Sequence, residues 1–102
     1  MTVFAVNMTH DDTSPALQYG DIRFINVRYV YGDEIDNERM PGANTEMLKQ
    51  AADDFNPERD FVLLVGDWLQ LAHFLKLLGA RHSSVHVLRW DKKAEGYIPC
   101  WV

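Results

Sequence analysis

Phe61-Val62-Leu63-Leu64-Val65-Gly66-Asp67-Trp68-Leu69-Gln70 is the stretch on which the fold turns. Five apolar residues in succession, with no polar alternation, predict a strand covered on both faces. Gly66 turns the chain and Asp67 is placed to cap a helix, with Gln70 at the spacing of a capping box. The helix is expected from Trp68 to Leu78, with Gly79 as a left-handed stop. Its apolar belt is wide, and Trp68, Leu69, Leu71, Phe74 and Leu78 all belong to it. Residues 85 to 90 read as another strand. The unit 61 to 90 is therefore strand, helix, strand with short links, which demands parallel strands and a right-handed crossover.

Downstream, residues 91 to 96 turn the chain and residues 97 to 102 return as an antiparallel strand. Upstream, Asn44 or Thr45 caps a helix running to about Phe55, with Met47, Leu48, Ala51, Ala52 and Phe55 as its apolar stripe. Asn56-Pro57 ends that helix. Residues 32 to 43 are polar and broken by Gly32, Pro41 and Gly42, the composition of an exposed loop. Residues 23 to 31 read as a strand with Ile25, Val27, Tyr29 and Tyr31 on one face, and residues 3 to 8 as a more deeply buried strand. Between those two lies loop chemistry, in which Pro15-Ala16-Leu17 can open a short helical turn.

The order is β-β-α-β-α-β-β. The most apolar strands, the first and third, belong in the middle, which predicts an α/β two-layer sandwich with a five-stranded mixed sheet of order 2-1-3-4-5. Moving twice in the same direction with right-handed crossovers places both helices on one face. The opposite face is left open. With 102 residues the chain makes one domain, residues 1–102.

Composition excludes several classes. Apolar residues are 47% and charged residues 25%, an ordinary globular balance. The net charge of −5 argues against a protein that coats nucleic acid. A single cysteine, Cys100, excludes an internal disulfide framework and any multi-cysteine metal site, and its place between Pro99 and Trp101 reads as a buried thiol. No run approaches the ~20 apolar residues of a membrane span. The opening Thr2-Val3-Phe4-Ala5-Val6 lacks the basic region of a secretion signal, so a cytoplasmic location is expected.

In open α/β sheets, sites gather at the carboxyl ends of parallel strands. Two such ends are expected side by side, one leading into His10, Asp11, Asp12, Thr13 and Ser14, the other into Gly66 and Asp67. Asp11, Asp12 and Asp67 could hold Mg²⁺, and His10 could act as a general acid or base. That reading makes the chain a small metal-dependent hydrolase or nucleotide-binding protein. Against it, Asp67 is already explained as a helix cap, and Asp11, Asp12, Thr13 and Ser14 are ordinary turn formers. There is no Walker loop, no Gly-x-Gly-x-x-Gly and no His-Glu-x-x-His. His73 reads as a helix-side histidine, and His82 and His86 straddle the Ser83-Ser84 loop at a spacing that does not suit a shared metal. No cofactor and no metal are expected.

Asn7-Met8-Thr9-His10-Asp11-Asp12-Thr13-Ser14-Pro15-Ala16-Leu17, together with Leu64-Val65-Gly66-Asp67 and Val87-Leu88-Arg89-Trp90-Asp91, resembles small uncharacterised proteins of tailed bacteriophages. The resemblance implies a setting, the cytoplasm of an infected bacterium, and assigns no role to any residue.

Charge is unevenly spread. Residues 33 to 60 hold nine acidic against three basic side chains, and residues 76 to 93 hold five basic against one acidic. An acidic loop and helix could engage a basic partner, or the basic end of a second copy. The favoured reading is a non-enzymatic binding or regulatory protein acting on a host or phage protein. A homodimer is also expected, because an open sheet face would expose more apolar area than the ~300–600 Å² usual on monomers. The alternative cover is the loops, with Leu17, Tyr19, Ile35 and Met40 as plugs. Pro99 directs any pairing to the sheet face, since it cannot donate to a ladder.

Overall fold

The computed structural model describes residues 1–6, 13–25 and 45–102. Five strands are present, β1 (Thr2–Val6), β2 (Asp21–Ile25), β3 (Phe61–Gly66), β4 (His86–Asp91) and β5 (Gly96–Trp101), with helices α1 (Thr45–Asp54) and α2 (Trp68–Arg81). A 3₁₀ segment, Ser14–Tyr19, links β1 to β2. The sheet order is β2-β1-β3-β4-β5, as the apolar ranking of the strands requires. The first four strands are parallel and β5 is antiparallel to β4. β2 begins two residues earlier than expected, and the expected continuations of β1 and β2 past Val6 and Ile25 lie outside the described residues, as does the loop 32 to 43.

Alternation along each strand divides the sheet into two faces. On one face Phe4, Val6, Val62 and Val87 meet Leu48, Ala51 and Phe55 at the α1 end and Leu71, Phe74 and Leu78 from α2. Both helices therefore cover the same face. Phe4, Phe55 and Phe74 form its aromatic centre, with ring centroids 5.5–6.4 Å apart. Arg23 closes the edge of this layer, its guanidinium 5.3 Å from the Phe4 ring centroid and 2.9 Å from Asp54. Met47, counted in the apolar stripe of α1, is exposed instead.

The second face is not left open. Val3, Ala5, Leu63, Leu88 and Tyr97 form a second core there, closed over by Ala16 of the 3₁₀ segment and by Tyr19 beside it. Tyr19 lies 5.5 Å from the Phe61 ring and donates its hydroxyl to the Tyr97 carbonyl at 2.8 Å. Of the expected plugs, Tyr19 serves and Leu17 does not, being 56% exposed. In a 3₁₀ turn residues i and i+3 eclipse, so Ala16 and Tyr19 share a side and Leu17 points away. Ile35 and Met40 lie outside the described residues.

α2 departs from expectation at its end. It passes through Gly79 to Arg81, and His82 caps it in an extended conformation with its N–H on the Leu78 carbonyl. Arg81 in the last turn pairs with Asp53 of α1, which holds that turn in place. At the other end of the fold, buried Asp60 accepts the Thr2 N–H at 2.9 Å and the Asn56 N–H at 2.8 Å, pinning the start of β1 to the turn that precedes β3.

Candidate functional site

Parallel strands give the sheet a carboxyl end and an amino end, and each places different chemistry. At the carboxyl end, Gly66 (φ 90°) swings the chain from β3 into α2. Asp67 accepts hydrogen bonds from the Leu69 and Gln70 N–H groups at 2.9 and 3.2 Å. Its carboxylate is thus engaged as the N-cap of α2. Only half of the expected capping box forms. Gln70 is fully buried, and its amide nitrogen and oxygen have no hydrogen-bond partner among the described residues. His10, Asp11 and Asp12, the other members of the strand-end cluster, lie outside the described residues. Among the described residues no group of three or more His, Cys, Asp or Glu side chains is placed to hold a metal ion.

At the amino end the described residues form an open cleft of ≈ 580 Å³. Three segments distant in sequence build it. The turn before β3 supplies Pro57 and Glu58, the end of α2 and its loop supply Arg81, His82, Ser83 and Ser84, and the hairpin supplies His86 and Trp101. Right-handed crossover from β3 to β4 brings these together, because it returns the chain to the amino end beside the turn it left. His82 rests against Phe55, with centroids 6.1 Å apart, and its Nε2 is buried without a hydrogen-bond partner among the described residues. His86 sits between Phe61 and Trp101, 5.4 and 3.4 Å away. His82 and His86 therefore share a cleft, a relation their spacing alone did not reveal.

His86 and Trp101 of the cleft belong to the face of the β4–β5 hairpin that also carries buried Leu88 and Tyr97. Cross-strand pairs there are His86 with Trp101, Leu88 with Pro99, and Trp90 with Tyr97. Trp90 packs edge-on against Tyr97 at 5.1 Å. Four residues of strand separate the first and last rows, about 13 Å. Trp101 is 62% and Trp90 42% exposed, and the third tryptophan, Trp68 at the start of α2, is 75% exposed. All three tryptophans stand at the surface while phenylalanine and aliphatic residues fill the core. Cys100 points the other way, half-buried against the helix-side core, and His73 is half-buried on α2.

No helix among the described residues is long and apolar enough to cross a membrane. No curated protein and no solved structure matches the chain. A family model described as Phage Pam3 gp32-like protein matches residues 2–102, and the chain belongs to that phage protein family.

Proposed function

We propose that this phage protein is a non-enzymatic binding protein that works by occupying a host or phage protein in the cytoplasm of the infected bacterium. The observation that carries the reading is the exposure of Trp90 and Trp101 at the two ends of one face of the β4–β5 hairpin, with exposed Pro99 in the row between them. Tryptophan has the largest apolar surface to bury, and a soluble fold normally covers much of it. Interfaces draw their strongest contacts from such residues, about 2 kcal/mol or more for each central tryptophan. Asp67, the described member of the strand-end cluster, already serves as a helix cap.

Self-association belongs to the same reading. Val3, Ala5 and Leu63 are fully buried within one chain, so a second copy would meet the hairpin face with Trp90 and Trp101 and not the centre of the sheet. Light scattering at micromolar concentration tests this part, with twice the chain mass expected and a single-chain mass against it.

Affinity capture from infected cells, quantified against the bait, tests the function. Wild-type chain should retain a stoichiometric protein, a Trp90→Ala/Trp101→Ala double variant should lose it, and a His10→Ala/Asp11→Ala variant should keep it. Circular dichroism of each variant controls for folding. A biological effect abolished by His10→Ala/Asp11→Ala in a folded protein would overturn the proposal in favour of catalysis.

A further inference from the structure

We propose that the amino-end cleft takes the guanidinium of an arginine side chain presented by the protein partner; this rests on the binding reading above and names the chemistry of the contact.

Charge selects the sign of the occupant. Arg81 lines the cleft but is paired with Asp53. Glu58, which also lines the cleft, has no ion-pair partner among the described residues. The carboxyl terminus of α2 ends at the cleft, and helix carboxyl termini carry partial negative charge and favour cations. An anion would face both Glu58 and that terminus, with the one arginine already engaged. The whole chain carries −5, which draws basic partners at longer range.

Shape and acceptors select arginine among cations. Trp101 forms a wall more than half exposed, a surface on which a planar cation stacks. The remaining polar groups are spread around the cleft: the Glu58 carboxylate and the Ser83 and Ser84 hydroxyls. A guanidinium distributes five N–H donors in a plane and reaches several such acceptors at once, whereas an ammonium is a point charge. Trp101 also belongs to the Trp90–Pro99–Trp101 face, so a partner lying on the hairpin would present a side chain directly to the cleft.

The test is a titration of the ¹⁵N-labelled full chain, followed by NMR, with three separate probes: N-acetyl-arginine methylamide, N-acetyl-lysine methylamide and ATP. The arginine probe should shift the Trp101 indole N–H and the Ser83 and Ser84 amides, more tightly than the lysine probe. Glu58→Gln, an exposed and conservative change, should weaken arginine binding about fivefold or more. Glu95→Gln in the hairpin turn should leave it unchanged. ATP shifting the same signals with undiminished strength in Glu58→Gln would overturn the proposal, as would arginine binding insensitive to Glu58→Gln or no arginine shift at the cleft. Capture of a partner that needs Trp90 and Trp101 but is indifferent to Glu58→Gln would refute the arginine site while leaving the binding function intact. Arginine binding in the cleft without any captured partner would refute the function alone.

Discussion

Replacing Gly79 with alanine is expected to stabilise the protein, and the sign of the effect follows from where α2 ends. Gly79 lies two residues inside the last residue of the helix, Arg81. Only Gly20 and Gly66 have positive φ among the described glycines, so Gly79 does not use the conformational freedom that would exclude a side chain. A Cβ built there meets nothing within 4 Å, and the position is exposed. No clash opposes the substitution, which leaves backbone entropy and helix propensity, together about 0.5–1 kcal/mol in favour of alanine. For a domain near this size each kcal/mol moves Tm by roughly 4–8 °C, so a rise of about 2–8 °C is expected. Thermal and urea unfolding followed by circular dichroism measure it, and an unchanged urea m-value assigns the gain to stability alone. If Gly79 were instead a left-handed stop, alanine would cost about 1–2 kcal/mol. A lower Tm for Gly79→Ala would therefore refute the assignment of the helix end.

Gly20→Ala should act in the opposite direction. Its φ is 150° and an added Cβ would lie 2.6 Å from the Met1 carbonyl oxygen, so a loss of about 2 kcal/mol or more is expected in the same unfolding assay. Asp60→Ala removes the acceptor for two backbone N–H groups and should cost about 2–3 kcal/mol, with faster amide exchange at Thr2 and Asn56. Gln70→Met replaces a fully buried amide without a partner among the described residues and should raise stability by about 1–2 kcal/mol. A loss on Gln70→Met would mean that the amide has a partner beyond those residues.

How much of this was readable in the chain depends on how local the physics is. The run Phe61–Val65 identified a central strand because a strand covered on both faces needs no polar alternation, and it lies between β1 and β4. The cap at Asp67 was readable because carboxylate and amide donors are two and three residues apart. The helix end was misjudged because Gly79 has two physical uses and propensity alone does not choose between them. Tertiary contact does, through Arg81 on Asp53 and the cap at His82. The cover over the second face was readable in part, since Tyr19 is among the expected plugs. Hydrophobicity alone adds Leu17 to them, whereas the period of a 3₁₀ turn selects small Ala16 together with Tyr19. The cleft could not be read at all, since Glu58, His82 and Trp101 come from three segments brought together only by the crossover. A weak trace existed in the pair His82 and His86, weighed for metal and set aside, although their shared role is to line that cleft.

Binding through the hairpin face is the central claim, and quantitative capture from infected cells tests it most directly. The predicted result is a stoichiometric partner on wild-type chain that falls by at least about thirtyfold on the folded Trp90→Ala/Trp101→Ala variant, the loss of one strong interface residue. A partner retained undiminished by that double variant, or no stoichiometric partner on the wild-type chain, would contradict it.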